Sequence, residues 1–155
     1  MMFWETSPKK PNKSTLILCK PMQLRVLVID DDEMFNLMTK VILRDLGVSS
    51  APQCFISGQE ALADIDQHQG SDVAYLLFLD INMPTMSGWD VLDYLQASSY
   101  HQHIHVVIVT SSIDHADRER AFRYPRVIDF MTKPLKRESL ASLKAHKKIA
   151  AFFSN

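Results

Sequence analysis

Five short apolar runs alternate with segments of helical periodicity along most of this chain. Four of these runs lie at residues 24–29, 75–79, 105–109 and 127–131, and the fifth, a more polar segment that we assign to a short strand, lies near residues 48–55. The helical segments lie at about residues 34–46, from about 57, and at about 87–96, 113–122 and 136–153. This alternation predicts an α/β fold, a (βα)5 doubly wound parallel sheet of five strands with helices on both faces.

Individual residues sharpen the limits of these segments. In the first helical segment, Met34, Leu37, Met38 and Val41 recur at helical spacing, and Gly47 supplies the stop. In the second helical segment, the residues expected to face inward are Ala61, Leu62 and Ile65. Each helix therefore has enough apolar positions to cover part of a sheet.

Length and charge favour one globular domain that does not bind nucleic acid. The chain has 155 residues, of which 46% are hydrophobic, and a formal net charge of −1. Residues 1–22 hold four lysines and one glutamate, so the remainder carries 13 basic and 17 acidic side chains. An acidic domain lacks the basic face that nucleic acid requires, so we expect no nucleic-acid partner.

The first 22 residues differ from the rest in composition. They are rich in Lys, Pro, Ser and Thr, which discourages long elements. We predict a disordered or non-native tail over residues 1–22, with a docking arm that includes Phe3 and Trp4 as the alternative. One domain is expected over residues 23–155, and the 22 residues after Lys133 suffice for one helix but for no output domain.

The cysteines and apolar runs predict the compartment. Cys19 and Cys54 match no metal or redox spacing, which favours a reducing environment. The apolar runs are too short to cross a bilayer, and the first residues lack the apolar stretch of a secretory signal. We therefore expect a cytoplasmic protein with no membrane contact.

Chemically active residues follow the apolar runs. The carboxyl ends of parallel strands share one edge of a sheet, so residues far apart in sequence meet there. The residues at these ends are Asp30 and Asp31 after the first run, Asp80 after the third, Thr110 after the fourth and Lys133 after the fifth. Clustered carboxylates repel one another unless a cation lies between them, and their hard oxygens favour Mg²⁺.

This set of residue types suits phosphoryl transfer. Asp80 can act as the nucleophile that forms an aspartyl-phosphate, while a metal ion and Lys133 neutralise charge on the equatorial oxygens. Thr110 can donate a hydrogen bond to the same oxygens, and the small Ser111 leaves room for the incoming group.

Four motifs together resemble the response-regulator receiver domain of two-component signalling, whose fold is flavodoxin-like. They are VLVIDDDE, LDINMPTMSGW, VIVTSS and DFMTKPL, in the order and at the spacing of that family, and the resemblance covers residues 24 to about 150. Each motif ends an apolar run, and the four jointly are far more specific than any one alone. The DINMP segment and the Tyr124–Pro125 turn resemble those of stand-alone bacterial receivers, which implies a single-domain type.

The resemblance implies a ligand set and a phosphoacceptor. Asp80 would accept the phosphoryl group, and Asp31 and Asp80 would bind Mg²⁺ directly. Asp30 would bind the ion through water, and Asn82 through its backbone carbonyl. The catalysis implied is limited to phosphorylation and dephosphorylation of the chain itself, so the chain is not expected to be an enzyme acting on other molecules.

The resemblance also implies how the state of the site is communicated. Thr110 and Lys133 would bind the phosphoryl group, and a cis Lys133–Pro134 bond would aim the lysine amine into the site. Thr110 and Phe130 would form the switch pair that remodels the face of helix 4, strand 5 and helix 5. The partners implied are a histidine kinase or phosphotransfer protein and a downstream protein target, with the chain a monomer or weak dimer.

Two other functions remain open. The first is a receiver-like module that works only as an unphosphorylated interaction surface. Such a module would not need the intact set of site residues, namely Asp30, Asp31, Asp80, Thr110 and Lys133. A haloacid-dehalogenase-type phosphatase would place its nucleophile after the first strand, as Asp30 with Asp32 two places on. That alternative leaves the Asp80 motif unexplained, and no insertion of cap size is present.

Some conspicuous residues favour plain structural interpretations. His101, His103 and His105 alternate, as ligands on one strand face would, but no cysteine or carboxylate beside them completes a metal site. We expect a solvated lead-in to the fourth strand. Tyr124 and Pro125 replace the usual turn into the fifth strand, and a different loop conformation is favoured over a specific partner contact there.

Overall fold

Five parallel strands form one sheet in the order β2-β1-β3-β4-β5 in a computed structural model of the chain. The structure describes residues 21–68, 70, 72–98 and 103–154. The predicted tail, including Phe3, Trp4 and Cys19, lies outside the described residues except at its last two positions, and so does His101. The strands are β1 (Gln23–Ile29), β2 (Gln53–Phe55), β3 (Val73–Leu79), β4 (Ile104–Thr110) and β5 (Val127–Thr132).

Helices follow the strands, which confirms the predicted doubly wound α/β fold. They are α1 (Glu33–Asp45), α2 (Gly58–Gln67), α3 (Gly88–Ala97), α4 (His115–Phe122) and α5 (Arg137–Leu143), followed by a 3₁₀ turn (Ala150–Phe152). Side-chain oxygens of Asp32, Ser57, Ser87 and Asp114 cap α1 to α4, which explains why these helices begin where they do. Among the described residues, no helix is long and apolar enough to span a bilayer.

Alternate strand residues supply two core layers, one on each face of the sheet. Leu27, Leu77 and Val106 point toward one face, and Val28, Phe78 and Val107 toward the other. All six are at most 1% exposed, so the central strands are buried on both faces, as in other parallel sheets covered by helices. The predicted inward residues of α2 (Ala61, Leu62 and Ile65) are buried.

The apolar positions that indicate α1 do not face the core. Met34, Leu37, Met38 and Val41 are 49–63% exposed. The buried residues of α1 are Asn36, Thr39 and Leu43. The polar inward face has a structural reason, because the Asn36 amide donates to the carbonyl oxygens of Asp30 at 2.8 Å and Phe55 at 3.1 Å.

The prediction of one long final helix over residues 136–153 is wrong. α5 ends at Leu143, and the chain continues through turns to the 3₁₀ segment. A continuous helix would place residue 147, a lysine, on the same face as the buried Leu140 and Leu143. By leaving the helix, the chain instead buries Ile149 completely in the core.

Candidate functional site

Two buried carboxylates lie side by side at the carboxyl edge of the sheet. β1 and β3 are adjacent, and Ile29 pairs with Leu79, so Asp30 and Asp80 follow their strands at the same level. Asp30 is 1% and Asp80 5% exposed, whereas Asp31 is exposed. Each of these three aspartates offers an oxygen within 4.8 Å of the others, as the sequence predicts.

Lys133 reaches this acidic group from β5. Its backbone N–H donates to the Thr110 carbonyl at 2.8 Å, and the Lys133–Pro134 bond is cis, as predicted. The Lys133 amine donates to Asp30 Oδ2 and, at 3.4 Å, to Asp80 Oδ2. Burial lowers the pKa of Lys133, but its hydrogen bond to Asp30 and the charges of both aspartates outweigh burial and raise it, so the amine stays charged.

Asp80 is destabilised as an anion. Burial and the charge of Asp30 raise the pKa of Asp80 above its usual range, although the Asn82 N–H and Lys133 oppose the shift. One lysine therefore does not balance three clustered carboxylates. A divalent cation with oxygen ligands would, so the donor set fits Mg²⁺.

Thr110 and Asn82 lie beside the acidic group and contact each other. Thr110 is fully buried, and its hydroxyl oxygen accepts from Asn82 Nδ2 at 3.4 Å and from the Ser112 N–H at 3.1 Å. The Ser112 hydroxyl in turn donates to Asp117 in α4 at 2.6 Å. The Thr110 hydroxyl is thus linked through the Ser112 residue to α4.

Phe130, the aromatic residue of the predicted switch, already lies in the core, which is the position that we expected it to reach on phosphorylation. It is 8% exposed. Arg118 of α4 lies 5.6 Å from the ring centre and donates to the Phe130 carbonyl at 3.3 Å. The inward position therefore exists in the unphosphorylated chain, held by a cation over the ring.

Three residues with contacts near the site, Phe35, Asn36 and Arg118, had no role predicted from the sequence. The Phe35 ring centre lies 4.2 Å from the Lys133 amine, and Asn36 fixes the loop that carries Asp30. For Asn36 the sequence held no signal, because the apolar spacing of α1 indicated a different inward face. Phe35 and Arg118 carry no signal either, because cation–ring contacts depend on packing between elements.

The alternating histidines form no metal site in the part of the chain that the structure describes. There the acidic group is the one set of three or more potential ligands brought together. His103 is exposed and His105 half-buried on β4. His103 is thus a solvated residue just before β4, as expected, whereas His105 lies within the strand rather than in its lead-in, and His101 lies outside the described residues.

Comparison with known proteins decides the family. The model of the response regulator receiver domain matches residues 26–144. The chain belongs to the response-regulator receiver domain family. As a receiver domain it is a signalling module of two-component systems, whose members interact with histidine kinases and downstream effectors.

Curated relatives of this receiver domain differ greatly in length. Protein PilG of Pseudomonas aeruginosa is 29% identical over 125 residues, covering 79% of this chain and 87% of PilG. Hybrid signal transduction histidine kinase L of Dictyostelium discoideum is 28% identical over 122 residues, covering 77% of this chain but 7% of the kinase. The match therefore concerns the receiver domain and not the activities of the larger proteins.

Solved structures agree on the receiver fold. A two-component response regulator from Cytophaga hutchinsonii superposes with a TM-score of 0.72 and 24% identity, covering 85% of this chain and 99% of that one. The chemotaxis protein CheY4 of Vibrio cholerae gives a TM-score of 0.65 and 21% identity, with 83% and 98% covered. These likenesses support the five-stranded architecture.

Proposed function

We propose that this receiver accepts a phosphoryl group on Asp80 from a histidine kinase or phosphotransfer protein in the cytoplasm. The observation that carries the proposal is the position of the Asp80 carboxylate, 3.4 Å from the Lys133 amine and beside Asp30 and Asp31. A nucleophile, a fixed cation and candidate metal ligands therefore share one edge of the sheet.

The chemistry follows from what each side chain offers. An Asp80 oxygen attacks the phosphorus of a phosphohistidine on the donor protein. The bond between phosphorus and the imidazole nitrogen breaks, the donor histidine is released, and an aspartyl-phosphate results. The Lys133 amine and the Thr110 hydroxyl then contact the phosphoryl oxygens. Asp30, Asp31, Asp80 and Asn82 are the residues that would hold Mg²⁺, which would supply positive charge to those oxygens.

The exposed side of α1 supports a docking role for the phosphodonor protein. Its apolar residues Met34 and Met38 line a groove of about 460 Å³ that continues to Lys133, Pro134 and Leu135. A donor that covers this groove gains apolar contact and comes within reach of Asp80. This gives Met34 and Met38 a reason to face solvent rather than the core.

The face of α4, β5 and α5 supports a role in reading out phosphorylation. Movement of the Thr110 hydroxyl toward a phosphoryl group removes an acceptor from the Ser112 N–H, and Ser112 is bonded to α4. Exposed apolar residues are present there, with Ile113 86% and Phe122 45% exposed. Because Phe130 is already buried, we assign the larger change to the loop between β4 and α4 rather than to rotation of that ring.

The test is phosphoryl uptake by the purified protein. With Mg²⁺ and acetyl phosphate, we expect intact mass to show one added phosphoryl group, with no uptake by Asp80→Asn. Asp45→Asn, which changes an exposed carboxylate, should behave like the wild type. Failure of the wild type to take up phosphate would instead favour a receiver that acts as an unphosphorylated interaction surface.

A further inference from the structure

A second concave site lies at the edge of the sheet opposite Asp80. It is a groove of about 460 Å³ between the end of α3, the amino ends of β4 and β5, and the turn after α5. We call it the lower groove; the residues that define it are Leu92, Gln96, Ile104, His105, Tyr124, Pro125, Arg126 and Lys148. Its volume lies within the range of small-molecule sites.

The walls of the lower groove are apolar and held in place. Leu92 and Ile104, which are 1% and 2% exposed, form the floor, and the rings of Tyr124 and Pro125 form the wall. Tyr124 is fixed at both ends, because its hydroxyl donates to Asp93 at 2.7 Å and its ring stacks on Trp89 with 6.2 Å between ring centres. A flat apolar wall is therefore formed before any ligand binds.

Positive charge is concentrated at one side of this groove. The Lys148 amine donates to the Pro125 carbonyl at 3.4 Å, which holds it over the rim beside Arg126. The described residues that line the groove include no carboxylate. Burial lowers the pKa of His105, and the nearby Lys148, His103, His146 and Arg126 lower it further, as expected in a region of positive potential.

From this juxtaposition of flat apolar walls and a cationic rim, we infer that the lower groove binds a small aromatic carboxylate. A single ring packs against the Tyr124–Pro125 wall, over the floor that the almost fully buried Leu92 and Ile104 form. Its carboxylate then faces Lys148, the charge-assisted partner that an anion of this size requires. The site is separate from the phosphorylation chemistry, since it lies at the amino ends of the strands.

The inference is tested with anthranilate in a titration followed by amide chemical shifts of the ¹⁵N-labelled full chain. We expect saturable shifts at Leu92, Ile104 and Arg126, and binding at least fivefold tighter than that of the neutral analogue anthranilamide. Lys148→Gln should weaken anthranilate at least fivefold, and Lys148→Arg should retain it.

Lys147→Gln is the matched control, because Lys147 is exposed on the same turn but does not line the groove. The affinity of Lys147→Gln for anthranilate should stay within twofold of that of the wild type. Absence of saturable shifts in the wild type, equal binding of anthranilamide, or equal loss in both glutamine variants would each overturn the inference. Uptake of phosphate from acetyl phosphate should be unchanged in Lys148→Gln, which shows that the variant is folded.

Discussion

Gly88 lies directly against the backbone of Asp80. A Cβ atom at position 88 would be 2.4 Å from the Asp80 carbonyl oxygen and 2.8 Å from the Ile81 Cα. The Gly88 N–H also donates to the Ile81 carbonyl at 2.9 Å, which closes the loop between β3 and α3. The first residue of α3 therefore helps set the position of the proposed phosphoacceptor.

Gly88→Ala should destabilise the fold and impair the site together. The clash is with backbone atoms, so no side-chain rotation relieves it, and overpacking of this kind costs about 1–3 kcal/mol. We expect a lower midpoint in urea and slower uptake of phosphate from acetyl phosphate. Both are measured on the same preparation, by circular dichroism and by intact mass.

Gly70→Ala is the control for the general effect of replacing glycine. There the nearest atom to a new Cβ is a side-chain oxygen of Asp72, at 2.9 Å, which can move away. Uptake by Gly70→Ala should equal that of the wild type. Wild-type stability and uptake in Gly88→Ala would show that the loop relaxes freely and that the contact with Asp80 is unimportant.

Asp80→Asn should stabilise the metal-free protein at neutral pH. Because burial and the charge of Asp30 raise the pKa of Asp80 above 3.8, the folded chain keeps that proton to a higher pH than the unfolded chain. Stability of the wild type therefore falls as pH rises from 3.8 through the folded pKa, and the amide avoids this loss. In EDTA at pH 7, Tm should rise by about 2–4 °C, equivalent to about 1 kcal/mol in a domain of this size.

The pH dependence of Tm distinguishes this electrostatic effect of Asp80→Asn from a gain in stability that has another cause. Near pH 3.8 the advantage of Asp80→Asn should shrink toward zero, and added Mg²⁺ should raise the Tm of the wild type more than that of the variant. Asp45→Asn removes an exposed carboxylate, 3.7 Å from Arg137, and should change Tm little at any pH. An advantage of Asp80→Asn that is constant with pH would contradict the electrostatic explanation.

The edge of the sheet was predictable because parallel strands leave little freedom. Once five apolar runs were assigned to strands, the residues after each run had to meet, and Asp30, Asp80 and Lys133 do so. The cis Lys133–Pro134 bond followed from the family resemblance. Strand pattern and connection rules alone were sufficient to bring the carboxylates and the lysine to one edge.

The helices were less predictable, because their orientation depends on what they pack against. In α1, apolar spacing correctly indicated a helix, but Asn36 faces inward because loop carbonyls need its amide. At α5, no glycine or proline marks the end at Leu143. The helix ends there because Ile149, and not Lys147, fills the remaining core position.

Trp89 should report phosphorylation of Asp80 by fluorescence. It follows Gly88, stacks on Tyr124 and has the Arg120 guanidinium 4.1 Å from its ring centre, so small movements of the loop change its surroundings. In a Trp4→Phe background Trp89 is the sole tryptophan, since the chain has two. Acetyl phosphate with Mg²⁺ should change its emission, and Asp80→Asn should abolish the change. Constant emission in a sample whose mass shows full phosphorylation would contradict the coupling.

The lifetime of the phosphoryl group should depend on residue 82. Asn82 is exposed, and its amide lies 3.4 Å from the buried Thr110 hydroxyl, so its side chain lies where water must approach an Asp80 phosphate. Since asparagine is neither bulky nor cationic, we expect a moderate lifetime in the wild type, measured as loss of the added mass after the phosphodonor is removed.

Asn82→Arg should lengthen the lifetime of the phosphoryl group roughly tenfold, equivalent to about 1.4 kcal/mol in the barrier to hydrolysis. The reason is that a long cationic side chain excludes water and pairs with the phosphate. Asn82→Gln adds one methylene and no charge, and should stay within about threefold of the wild type. Persistence of the wild-type phosphate for many hours, or an unchanged rate in Asn82→Arg, would show that access of water is controlled elsewhere.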